Sequence, residues 1–131
     1  MKHAVLLALV SIVAFPVAAA APVARPIVVE MVEFAFHPAT IRVRVRQPAT
    51  LRFVNRGQIA HQFVADILRT VPVATNDSIM HIESPGLDAL RLQPGESATI
   101  QFVPRQRGYF KFACTIEGHR EAGMEGVLEV Y

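Results

Sequence analysis

Cysteine is scarce in this sequence: Cys114 stands alone among 131 residues. A lone thiol cannot staple the fold from within, so the disulfide-scaffold classes are excluded. Cys114 is then a free thiol, half of an intermolecular bridge, or a metal ligand. An excess of charge is also lacking, since 13 Lys+Arg face 11 Asp+Glu and leave a formal charge of +2. No concentrated basic face is available to neutralise phosphates, which excludes nucleic acid as a partner. Nor is there a polybasic run to seek an anionic membrane surface. The sequence shows no long helical pattern, no internal repeat and no low-complexity segment, which sets aside helical bundles and solenoids.

What is present begins with an N-terminal segment of its own kind. Met1-Lys2-His3 is a short basic start, and Ala4 to Phe15 is apolar. That run has signal-peptide length, is too short to span a bilayer comfortably, and breaks at Pro16. Val17 to Ala21 supplies small residues for cleavage, expected after Ala20 with Ala19 as the alternative. The expected organisation is a signal peptide at 1–20, a Pro/Ala linker at 21–25 and one folded domain at 26–131. Export to the periplasm follows, with no stable membrane insertion once the signal is removed. About 110 residues remain, enough for one core.

Along the mature chain the dominant signal is short strands. Ile27 to Phe34 is rich in β-branched residues and reads as the first strand. Ile41-Arg42-Val43-Arg44-Val45-Arg46 alternates strictly, which places three apolar residues on one face and three arginines on the other. Those arginines are a solvated strand face that discourages edge pairing. Leu51 to Val54, His61 to Val64, Leu90 to Leu92, Ala98 to Val103, Tyr109 to Cys114 and Val127 to Tyr131 read as further strands. Turns at Asn55-Arg56-Gly57, Pro94-Gly95-Glu96 and Pro104 to Gly108 separate several of them. Residues 66–89 lose regular alternation and read as one long inserted loop, with a short helical turn near Ile67-Leu68. The fold class expected is all-β, a Greek-key β-sandwich.

The segment CTIEGHREAGM, residues 114–124, carries the chemistry. Four residues separate Cys114 from His119, and four more separate His119 from Met124. Gly118 and Gly123 precede the second and third of these and let the loop bend sharply. A soft thiolate, an imidazole and a weak axial thioether suit a copper ion cycling between Cu(I) and Cu(II). A trigonal plane needs a second histidine, and His61 stands on another strand just past a turn. Taken singly, each residue has a plainer reading: a buried thiol, a surface histidine, a core methionine and a turn histidine.

The ordered set resembles the cupredoxins, the small blue copper proteins. The resemblance runs from Phe34-Ala35-Phe36-His37-Pro38 through Phe53-Val54-Asn55-Arg56-Gly57 and His61-Gln62-Phe63 to Gly108-Tyr109-Phe110-Lys111-Phe112-Ala113-Cys114 and the Gly-His and Gly-Met pairs. The loop spacing is similar to that of auracyanin and rusticyanin, and longer between cysteine and histidine than in plastocyanin. The resemblance implies one copper per chain, with Cys114 as thiolate, His61 and His119 completing the plane, and Met124 as weak axial ligand. It implies that His119 presents its outer edge to solvent as the electron exit. Backbone N–H groups near Gln62 and Ile116 are expected to donate to the Cys114 sulfur. Two positions depart from the family pattern: Gln62 stands where Asn is frequent, and Glu117 where Pro is. Glu117, Arg120 and Glu121 then put charge around His119, which implies a partner chosen partly by charge.

The leading expectation is a non-enzymatic monomer that transfers single electrons between protein redox partners. The alternative is a periplasmic copper-binding protein for storage, delivery or tolerance, working with copper-handling partners. A copper-free thiol enzyme is ranked last, because no second cysteine resolves an oxidised thiol. His37 is expected to face solvent without a role. Met80-His81 in the long loop is an ordinary loop dipeptide or, as the less favoured reading, a weak second copper site.

Overall fold

The computed structural model describes residues 25–77 and 81–131. The expected signal peptide, the cleavage site and most of the linker lie outside the described residues, as does Met80. Eleven strands and one short 3-10 helix make up the regular structure of the described residues. Among those residues no helix is long and apolar enough to cross a membrane.

The first strand ends sooner than its composition suggests. β1 covers Ile27–Val32, the chain turns at Glu33-Phe34, and β2 returns over Ala35–His37 antiparallel to β1. Phe34 has φ +60°, a left-handed conformation that ends the extended run. β3 covers Thr40–Val43 and β4 Ala49–Asn55. β3 also stops short of the alternating run, because Arg46 takes φ +59°. The arginine face is partnered: Arg42 donates twice to the Glu129 carboxylate, at 2.8 and 3.1 Å. The guanidinium groups of Arg42 and Arg44 lie over the Tyr131 ring, at 4.9 and 5.9 Å.

β5 covers His61–Ala65 and leads into a 3-10 helix at Asp66–Thr70, which buries Ile67 and Leu68. The helical turn is thus where the sequence places it. The remainder of the excursion is more ordered than a loop, because β6 (Val73–Asn76) pairs with β7 (His81–Ser84) as a hairpin. Both strands are short, β6 half-buried and β7 largely exposed, so no alternating pattern marks them. β8 covers Leu90–Leu92, β9 Ser97–Phe102, β10 Gly108–Ala113 and β11 Glu125–Val130.

The strands form two sheets, ordered β2-β1-β4-β9-β6-β7 and β3-β11-β10-β5-β8. Their inner faces enclose one core containing Val29, Met31, Phe36, Leu51, Phe53, Phe63, Ile100, Phe112 and Leu128. This is the expected all-β sandwich with crossovers between sheets. Within the core, Phe36 packs edge-on against Phe63 and Phe112, with centroids 5.9 and 5.1 Å apart. Phe63 also meets Phe112, at 5.0 Å. Phe63 lies two residues after His61 and Phe112 two before Cys114, so each shares its strand's face with a candidate ligand. The aromatic cluster therefore fixes the distance between the strands that carry His61 and Cys114.

Candidate metal centre

His61 opens β5 and Cys114 immediately follows β10, two strands that pair antiparallel in one sheet. His119 comes from the loop between β10 and β11. That loop is closed by its own backbone. The Cys114 N–H donates to the Met124 carbonyl and the Met124 N–H to the His119 carbonyl, both at 3.0 Å. The His119 N–H donates to the Ile116 carbonyl at 3.1 Å. Gly118 and Gly123 take φ +79° and +102°, where a side chain would be strained. The two glycines thus serve the bends for which the sequence singles them out.

The result is a cluster of three donors. One ligand atom each from His61, Cys114 and His119 all lie within 4.8 Å of one another. Among the described residues this is the group of His, Cys, Asp or Glu side chains so gathered. His61 and Cys114 are completely buried and His119 is 6% exposed. Cys114 Sγ stands 3.3 Å from His119 Nδ1, and the Gln62 N–H donates to Sγ at 3.4 Å. Of the two donors expected for the sulfur, the Gln62 N–H is therefore in place, while the Ile116 N–H makes no hydrogen bond to it. Met124, at the far end of the loop, is fully buried.

His61 identifies what the cluster lacks from protein alone. Both of its ring nitrogens are buried without a hydrogen-bond partner. An unpartnered buried polar group costs about 1–3 kcal/mol. A metal ion accepting one nitrogen removes that cost, and a thiolate with two imidazoles is the donor set copper prefers. The residues present fit a single copper ion. Burial pushes the His61 imidazole below its ordinary value of 6.5, His119 adds to that, and the Glu33 carboxylate opposes it.

Two contacts at this centre escape sequence reasoning. The turn between β1 and β2 brings Glu33 to the His61 side and Phe34 to the His119 side. The Phe34 ring lies 5.3 Å from that of His119 at 88°. The Gln58 N–H donates to the Glu33 carboxylate, which lowers its pKa from the ordinary 4.5. The one signal in the sequence is the break at Glu33-Phe34 between two apolar stretches. His119 is also less open than expected, since its ring is almost fully covered. Glu117, Arg120 and Glu121 are exposed around it as expected. His37 is exposed. His81 has Nδ1 2.5 Å from Asn76 Oδ1 and Nε2 3.5 Å from Glu83 Oε1, an ordinary surface arrangement on β7.

The family model of the cupredoxin-like domain matches residues 4–89. The chain belongs to the cupredoxin-like family. A curated relative, the copper-resistant cuproprotein CopI of Rubrivivax gelatinosus, is 38% identical over 102 residues, which cover 72% of this chain and 59% of that protein. The chain therefore spans under two thirds of that relative's length. Among solved structures, reduced auracyanin from Roseiflexus castenholzii superposes with a TM-score of 0.59 at 22% identity, covering 81% of this chain and 96% of that one. A multicopper oxidase from Pediococcus acidilactici superposes with a TM-score of 0.68 at 16% identity, covering 88% of this chain and 28% of that one. These two likenesses establish the cupredoxin fold. The family model ends before Cys114, so the second half of the copper centre rests on the geometry described above.

Proposed function

We propose that this cupredoxin binds one copper ion through His61, Cys114 and His119, with Met124 as a weak fourth ligand, and serves copper tolerance or delivery in the periplasm. The observation that carries the reading is the buried His61 imidazole, without a hydrogen-bond partner beside the Cys114 thiol. Copper bound there would supply a soft, redox-active centre held by thiolate and imidazole. The copper-handling role is supported by the likeness to CopI, a protein named for copper resistance. The role is non-catalytic, because three buried donors and a thioether leave no open position for a substrate. The apolar segment at residues 4–15 supports export, and the absence of a polybasic run supports a life away from anionic membranes.

Single-electron transfer is the second reading. The donors are already gathered in a rigid sheet-and-loop frame, which suits a site that changes little between oxidation states.

Cu(II) titration of the purified protein tests the metal site. An intense visible band at one copper per chain, absent in Cys114→Ala, is expected. No band would sink the copper assignment. Transfer to a Cu(I) chelator then separates the two roles: a tolerance or delivery protein releases its copper within minutes, whereas an electron carrier holds it and exchanges electrons rapidly.

A further inference from the structure

We propose that Glu33 is the positioning residue of His61: its carboxylate faces Nε2 without bonding it in the fold by itself, favours the proton on that nitrogen, and accepts a hydrogen bond from it when Nδ1 is turned to the copper. This deepens the copper reading and rests on it. The geometry comes from Gly57. A Cβ at Gly57 would stand 2.8 Å from His61 Nε2 and 2.6 Å from Glu33 Oε1. The imidazole nitrogen and the carboxylate thus flank one point, and only a glycine hydrogen occupies it.

Gly57 is not among the residues with positive φ. Its backbone conformation is open to any residue, so what the position requires is room. The turn that carries it is anchored below. The Asn55 side chain, buried, accepts from the Gly57 N–H at 2.9 Å and donates to the Ile59 and Leu92 carbonyls at 2.8 and 3.0 Å. The Gln58 N–H donates to Glu33 Oε1, the same oxygen that stands beside the Gly57 point, and a carboxylate oxygen has a further lone pair with which to accept. Among the described residues, the ion pairs of the neighbouring acids do not extend to Glu33: Arg56 is bound to Glu30. Both His61 nitrogens lack partners in the fold itself. A ligand histidine ordinarily donates its other N–H to a carboxylate or carbonyl, which fixes the tautomer and the ring plane. Glu33 is the group placed to receive it.

Three variants and two readouts test this. Glu33→Ala removes the acceptor, Glu33→Gln keeps a carbonyl oxygen without the charge, and Glu121→Gln removes an exposed charge from the ligand loop. Copper affinity is measured by competition with a chelator. Ring tautomer is measured from the ¹⁵N shifts of His61 in copper-free protein. Glu33→Ala is expected to bind copper about 10–100-fold more weakly and to change the His61 shifts from the Nε2–H pattern toward a mixture. Glu33→Gln recovers most of the affinity, and Glu121→Gln matches wild type. Wild-type affinity and unchanged His61 shifts in Glu33→Ala, beside a normal copper band in the wild type, would overturn the proposal and leave the copper reading standing. If the wild type takes up no copper, the copper reading falls, while a shift in the His61 tautomer in Glu33→Ala still supports the contact.

Discussion

The Phe34 ring meets His119 edge-on, with centroids 5.3 Å apart and planes at 88°. Phe34 is 43% exposed, so the ring works as a cover over the imidazole more than as part of the core. It holds that place from a left-handed backbone, φ +60°. A non-glycine residue there costs about 1–2 kcal/mol, and such strain gathers where function holds it in place.

Phe34→Ala and Phe34→Gly separate the ring from the strain. Both remove the cover, so both should give copper up to a Cu(I) chelator several-fold faster than wild type, measured by stopped flow. Glycine also relieves the left-handed conformation. Phe34→Gly should therefore resist urea better than Phe34→Ala, by about 1 kcal/mol. Equal release rates in wild type and both variants would show that the ring does not cover the site.

His61→Leu should raise the stability of the copper-free protein while removing its response to copper. The buried imidazole has no partner, and replacing an unsatisfied buried group by an apolar one recovers about 1–3 kcal/mol. Wild-type protein should gain about 2.7 kcal/mol at a free copper concentration of 100 times Kd; the variant should gain far less. Melting curves with and without copper decide it. A copper-free variant less stable than wild type would mean that the ring's packing outweighs its missing hydrogen bonds.

How much of this was legible in the sequence follows from where each contact originates. Cys114, His119 and Met124 share one loop, and glycines mark its bends, so their spacing alone points to a common centre. His61 required the sandwich topology, and the strand ending in Cys114 together with the turn at Asn55-Arg56-Gly57 indicated it. The β6–β7 hairpin was illegible because β7 is exposed along nearly its whole length and carries no apolar alternation. Glu33 and Phe34 were hidden for a different reason. Their role comes from a two-residue turn that a run of β-branched residues conceals, and from the sheet order that lays this turn over the ligands.

Acid should destabilise the copper-free protein through His61. Unfolded chain takes up this proton near pH 6.5, whereas the folded protein, with the imidazole buried, takes it up only at lower pH. Between those values the unfolded state binds more protons, so falling pH favours unfolding. The contribution is complete above about pH 6.5 and is lost as pH falls through the folded value. Urea midpoints from pH 8 to 5 should decline in wild type and decline less in His61→Leu. Parallel curves would assign the acid sensitivity to other groups.

Gly126→Ala should disturb the copper centre without touching a ligand. Gly126 on β11 pairs with Phe112 on β10, and a Cβ there would collide with the Phe112 ring and the Ala39 carbonyl. Neither can yield easily: the ring is wedged between Phe36 and Phe63, and the carbonyl accepts the Val127 N–H at 2.8 Å. Overpacking of this kind costs about 1–3 kcal/mol. Because Phe112 lies two residues before Cys114 on the same strand face, movement of the ring should reach the thiolate. The expected result is a lower melting temperature together with a displaced copper–thiolate band in the visible spectrum. A lower melting temperature with an unmoved band would show that the loop's own backbone bonds, Cys114 to Met124 and Met124 to His119, hold the thiolate independently of the aromatic cluster.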